Sequence, residues 1–356
     1  MLYHLAGLLL PYFGPARLLR SNAVLSVVGI YAGFFLTAFL LPKCYRFLPR
    51  DRGREFTPTP QASKGKPTGA GAAFVTLFVL LLFLLAPLSP FHGCILSLTW
   101  LTMLTGFLDD RSERGWSEYR KGAFDLLLAL AGACVLYAFL RAESADGALH
   151  FWLPFVAKPV EVPPAAYIPL AAILLWASIN ATNCTDGVDG LSGTLVVIAL
   201  VTMGVIFYFI LGHQNIAAYL LVPHLRDGAA WGIMSFALAG VLMGYLWHNA
   251  FPSAVLMGDA GSRAIGFFTG ACIMASGNPF LILATSSIIF LNGGMGLVKL
   301  FLLRFCKVRI LSSVRFPLHD HLRYRRGWSA TQVLIKFVIM QVLVSFFILG
   351  VFFKVR

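Results

Sequence analysis

The sequence predicts an all-α polytopic membrane protein with about ten transmembrane helices and both termini outside the cytoplasm. Three observations predict it. First, 58% of the 356 residues are hydrophobic, only 12% are charged, and the mean hydropathy is +0.80, whereas a soluble chain averages about 45–50% apolar and about 25% charged. Second, ten long apolar segments are separated by polar connections. Third, the basic residues crowd into alternate connections. Together these exclude an ordinary cytosolic enzyme, a disordered chain and a fibrous repeat.

A spanning helix takes about 20 apolar residues. The ten segments are 24–41, 72–88, 94–108, 123–140, 165–179, 191–211, 229–247, 264–275, 280–303 and 333–353. The third, fifth and eighth are short, and each continues at one end into a polar motif. There the helix either runs on into a polar site or is broken. Residues 56–67, with several prolines, read as a loop, and residues 1–15 as mature chain without a signal peptide. No repeat or low-complexity tract divides the chain, which reads as a single integral membrane unit over 1–356. The Gly240/Gly244 and Gly266/Gly270 pairs predict close helix packing rather than a dimer seam. The six cysteines show no metal or disulfide spacing.

Connections that follow the odd-numbered segments share one side of the membrane. They carry Lys43, Arg46, Arg50, Arg52, Arg54, Lys64 and Lys66, then Arg111, Arg114, Arg120 and Lys121, then Arg263, then Arg304, Lys307, Arg309, Arg315, Arg323, Arg325 and Arg326. The other side has only Arg17, Arg20, Arg141, Lys158, Arg226, Lys354 and Arg356. Nineteen against seven places the odd connections in the cytoplasm. Lys299 and Lys336 fall within spans, where they are expected to snorkel or pair. A net charge of +13 distributed this way suits cytoplasmic loops or a pocket for an anionic substrate. The basic loops lack the interleaved aromatics that suit bases, so no nucleic-acid partner is expected.

Ionisable groups at the edge of a membrane span are costly and call for a reason. Four polar clusters fall on the odd connections, hence on one face. The first is Gly106-Phe107-Leu108-Asp109-Asp110, whose adjacent carboxylates suit Mg²⁺ or a base held by a cation, or simply a helix-end charge pair. The second is Asn180-Ala181-Thr182-Asn183-Cys184-Thr185-Asp186-Gly187-Val188-Asp189-Gly190, too rich in amides and carboxylates for a mere turn. The third runs through His248-Asn249 to Gly258-Asp259-Ala260-Gly261-Ser262, where Asp259 either serves a phosphate site or caps a helix. The fourth is Pro317-Leu318-His319-Asp320-His321, expected as a loop presenting its side chains to phosphate or to cation-bound oxygens, or as a solvated basic loop. Acids, amides, histidines and arginines gathered on one membrane face point to hard-cation chemistry on a phosphate-bearing substrate, with a lipid as one reactant. The active site is therefore expected on the cytoplasmic face.

These motifs, over essentially the whole chain and in order, resemble those of the polyprenyl-phosphate N-acetylhexosamine-1-phosphate transferases. The terminal sequences favour the phospho-N-acetylmuramoyl-pentapeptide-transferase branch. The resemblance implies a dimeric, ten-helix enzyme of the bacterial cytoplasmic (inner) membrane. With Mg²⁺, such an enzyme transfers phospho-N-acetylmuramoyl-pentapeptide from UDP-MurNAc-pentapeptide to undecaprenyl phosphate, giving lipid I and UMP for peptidoglycan biosynthesis. By position it implies catalytic roles for Asp109, Asp110 and Asp259, with Asp109 the base on the lipid phosphate. Asp259 and Asn180 fall on the metal site. Lys64, Lys66, Thr68, Asn183, Asp186, Gly187, Asp189, Asn249, His319, Asp320 and His321 fall on the substrate site. Three departures stand out. Asp320 replaces the middle of three histidines, Leu256 stands where a Phe commonly stacks on uracil, and Ser63 and Lys66 replace a Lys and a Thr of the family's Lys-x-Gly-Thr-Pro-Thr motif. Two alternatives remain: a transferase of GlcNAc-1-phosphate from UDP-GlcNAc to the same lipid, and an anionic-lipid transporter, which would be expected to show polar groups near the midplane.

Overall fold

The computed structural model describes residues 2–53, 63–156 and 158–354. Arg54, Arg356 and residues 56–62 of the proline-bearing loop, invoked above, lie outside the described residues. Ten principal helices follow the ten apolar segments in order. They are α1 (Asn22–Cys44), α2 (Gly71–Leu85), α3 (Pro90–Arg111), α4 (Glu118–Glu143), α5 (Pro164–Thr185), α6 (Leu191–Leu211), α7 (Gly228–Asn249), α8 (Gly258–Ala275), α9 (Ser287–Cys306) and α10 (Ala330–Lys354). Among the described residues, eight helices are long and apolar enough to cross a membrane, the exceptions being α2 and α8. Helix α2 has 15 residues, short of the usual span. Helix α8 places Asp259, Ser262 and Arg263 in its first two turns. The chain is thus a multi-pass helical membrane protein.

At the three short segments the helix runs on rather than breaking. Helix α3 continues through Asp109 and Asp110, α5 through Asn180 and Asn183, and α8 begins before Asp259. The break falls instead in the ninth segment, where Leu281–Thr285 ends at Ser286 and a new helix starts. Gln341 of α10 accepts the Ile288 N–H at 2.9 Å and donates to the Ala284 carbonyl at 3.0 Å. A helix break inside a membrane protein needs such a partner, because lipid offers the freed backbone groups none.

Helix α8 lies at the centre, against α2, α3, α5 and α6, and residues 260–275 are buried without exception. Glycine makes this depth possible. A Cβ on Gly71 or Gly106 would run into the backbone of α8 near Asp259–Gly261, and one on Gly266 into the Ser178 carbonyl of α5. Gly240 and Gly244 of α7 press in the same way on Ile30 and Phe34 of α1. The two small-residue pairs therefore serve packing within the chain, as their spacing predicts. Lys299 also behaves as predicted, donating to the carbonyls of Leu311 and Val314. Lys336 lies over the Trp328 ring at 3.7 Å. A two-stranded hairpin, His150–Phe151 with Val160–Glu161, closes the far end of α8, where Trp152 donates to the carbonyls of Ser276 and Gly277.

Candidate active site

The end of α3, the start of α4 and the start of α8 meet at one place. Neighbouring residues on a helix face different ways, and Asp109 and Asp110 do different things. Asp110 accepts the N–H groups of Asp259 and Ala260, each at 3.0 Å, and so caps α8. Gly258 opens that helix with φ +67°, and a Cβ there would strike the Asp110 carboxylate. Of the two readings offered for Asp259, capping is therefore filled by another residue. Asp109 accepts the Trp116 N–H on Oδ1 at 2.5 Å and takes Lys121 Nζ on Oδ2 at 2.5 Å. The same ammonium stands 3.1 Å from Asp259 Oδ2. One cation thus bridges two carboxylates separated by 150 residues of chain.

Lys121, counted above among loop charges, belongs to the first turn of α4. Arg263 needs a larger correction. It is not a connection charge but is 1% exposed inside α8, where Nε and Nη2 both donate to Asp125 Oδ1. Asp125 is equally buried, on α4. Its Oδ2 accepts from Asn180 Nδ2 at 3.4 Å, and Ser262 donates to Asn183 Oδ1 at 3.0 Å. Sequence reasoning missed Asp125, although a lone acid inside the apolar run 123–140 was the signal that should have found it.

The remaining clusters join the same region. Helix Leu318–Arg326 carries His319, Asp320 and His321, so the expected loop is a helix that starts one residue after Pro317. His319 is buried, and Asn292 Oδ1 accepts its backbone N–H at 2.8 Å and contacts Nδ1 at 3.1 Å. Its Nε2 lies where a Cβ on Gly187 would be. Gly187→Ala is therefore expected to displace a held ring and to destabilise the protein by about 1–3 kcal/mol, read as a lower Tm in detergent. Asp189 accepts the Ser253 N–H at 3.0 Å, and Lys66 Nζ donates to Ser253 Oγ at 3.0 Å. Asn249, 3% exposed, ties Gly190 N–H to the Val255 carbonyl. Thr68 is buried beside the Pro49 carbonyl, His321 Nδ1 accepts from Arg315 N–H, and Asp186 is half-buried at the end of α5. Lys64 is exposed. All four predicted clusters thus lie in one linked region.

A groove of about 920 Å³ leads up to it, between α4, α5 and α9. Its walls are apolar, with Ile173, Trp176, Phe290, Leu297 and Phe301, and its polar end holds Lys121, Asn180 and Asn183. Among the described residues, no three His, Cys, Asp or Glu side chains converge to hold a metal. Mg²⁺ does not need such a cage, because it commonly binds through one or two carboxylates, waters and substrate phosphates. The Lys121 ammonium between Asp109 and Asp259 marks a position where a cation is welcome, and the donors around it are hard oxygens. The residues present fit Mg²⁺.

A many-helix membrane protein with carboxylates and a cation at the head of an apolar groove is the kind that brings a lipid to a polar reactant. This chain belongs to the glycosyl transferase family 4, whose family model matches residues 92–277. It is 58% identical over 345 residues to the phospho-N-acetylmuramoyl-pentapeptide-transferase of Treponema pallidum strain Nichols, covering 97% of this chain and 94% of that one. It is 30% identical over 330 residues to the protein of the same name from Helicobacter acinonychis, covering 89% and 90%. The family expected from the motifs is thereby borne out.

Proposed function

We propose that this protein transfers phospho-N-acetylmuramoyl-pentapeptide from UDP-MurNAc-pentapeptide to undecaprenyl phosphate, releasing UMP and forming lipid I. The relatives' shared name supports this substrate. The observation that carries the chemistry is the Asp109–Lys121–Asp259 contact at the polar end of the apolar groove. In this reading the groove takes the prenyl chain and leaves its phosphate beside Lys121. A lipid phosphate oxygen forms a bond to the sugar-bearing phosphorus as that phosphorus parts from the UMP oxygen. Asp109 accepts the proton of the lipid phosphate. Asp110, with both oxygens on α8 backbone, keeps Asp259 in place. Asp259 and the Asn180 amide oxygen would hold Mg²⁺, which when bound would supply charge neutralisation for the diphosphate. Asn183, Asp186, Gly187 and Asp189 form the nucleotide side, with Lys66, Thr68, Asn249 and the helix bearing His319 to His321 around them. The site opens to the cytoplasm, the ten helices span the inner membrane with both termini outside, the chain is one domain, and it works as a dimer.

A radiolabelled assay tests this directly. With undecaprenyl phosphate in detergent, UMP release from UDP-MurNAc-pentapeptide should cease in EDTA and return on Mg²⁺ add-back. UDP-GlcNAc should not substitute; equal turnover of the two sugars would favour the alternative donor, and activity in EDTA would remove the metal.

A further inference from the structure

We infer that Asp125 is a positioning residue that turns the Asn180 side chain, so that its carbonyl oxygen faces the Asp109–Lys121–Asp259 cluster. This rests on the reading of that cluster as a cation and phosphate site. The Asp125–Arg263 pair lies one helical turn deeper than the cluster. Lys121 and Asp125 are four residues apart on α4, as are Asp259 and Arg263 on α8, so each pair shares a helix face.

The pair is not explained by stability. Both side chains are 1% exposed, and taking an ion pair out of water is costly enough that well-packed apolar residues are often as good or better. Arg263 Nη1 is buried without a hydrogen-bond partner, so the pairing is also incomplete. Its geometry has another consequence. Arg263 places two N–H groups on the single oxygen Oδ1, at 3.0 and 2.5 Å, and leaves Oδ2 to Asn180. An ionised carboxylate only accepts hydrogen bonds, so it selects the amide nitrogen of Asn180 and rejects the oxygen. The second N–H of that amide goes to the Trp176 carbonyl at 2.9 Å. Both donors are then used, and Oδ1 is the polar atom that Asn180 can offer to the groove it lines with Lys121. A hard cation takes an amide through oxygen. The guanidinium holds Asp125 turned through Oδ1, and Asp125 sets the amide.

The test uses the full chain purified in detergent, with Mn²⁺ as the probe read by electron paramagnetic resonance, alongside Tm. In D125L/R263L both charges are removed and apolar packing is restored. Tm should hold or rise while Mn²⁺ binding weakens at least about tenfold, and the metal concentration for half-maximal turnover should rise by a like factor. D125N/R263L keeps an acceptor oxygen for Asn180 and should recover Mn²⁺ binding to near the wild-type value. Should the leucine pair fail to fold, D125M/R263L replaces it with the same expectations. Wild-type Mn²⁺ affinity in a folded D125L/R263L would overturn the inference, as would equal loss in D125N/R263L. Absence of Mn²⁺ binding to the wild type would instead sink the reading of the cluster, and the inference with it.

Discussion

Asp259→Asn is expected to cut UMP release by at least about a thousandfold while leaving the fold intact. The change removes one negative charge and keeps the shape. Lys121 retains Asp109 as its partner at 2.5 Å, and the cap on α8 comes from Asp110 through backbone N–H groups that the substitution leaves in place. Helical content and Tm should therefore change little. The loss should come from charge that the reaction needs: removing a single well-placed electrostatic group in an enclosed site costs about a hundred- to a thousandfold, and loss of the proposed cation adds to that. The loss should fall in kcat more than in KM for the prenyl substrate, since the groove walls are untouched. Full turnover by Asp259→Asn, measured with saturating Mg²⁺, would show that this carboxylate does not serve the chemistry.

Gly106→Ala should be among the most damaging single methyls in the protein's polar end. In an unencumbered helix, Ala is better than Gly by about 0.5–1 kcal/mol. Here the sign reverses, because the added Cβ would press directly on the backbone of Asp259 and Ala260. Backbone cannot rotate away as a side chain can, so α3 and α8 must part. Asp109 and Asp110 lie three and four residues beyond Gly106 on the same helix and move with it. A displacement of about 1 Å at a reacting centre costs about a hundredfold, and overpacking costs about 1–3 kcal/mol. The variant should show both a lower Tm and about a hundredfold lower turnover. A Tm raised by helix propensity, with turnover unchanged, would show that the helices are not in contact there.

The local pattern of the chain was informative where the physics is local. Long apolar runs need helices in lipid, and each of the ten runs has one. The polar motifs 106–110, 180–190, 248–262 and 317–321 stood out because polar groups at a span's edge are expensive, and they do lie together. What local pattern could not show was which charge answers which. Arg263 looks like a connection charge beside Gly261 and Ser262, yet it is buried against Asp125, 138 residues away. Lys121 was one basic residue among several, and only its place opposite both Asp109 and Asp259 distinguishes it. His319 to His321 looked like a loop because three adjacent residues do not share one helix face, whereas Pro317 opens a helix that buries His319 against Gly187.

By itself, then, the amino-acid order determined the membrane setting, the places of the helices and the four polar motifs, because hydrophobicity and the cost of burying charge act on each residue where it stands. The tertiary structure alone decided that Asp110 caps while Asp109 pairs, that one lysine spans two acids, and that Asp125 meets Arg263 and Asn180. Those outcomes depend on how closely helices approach and on their rotation about their axes. Both are set by glycine contacts between elements far apart in the chain.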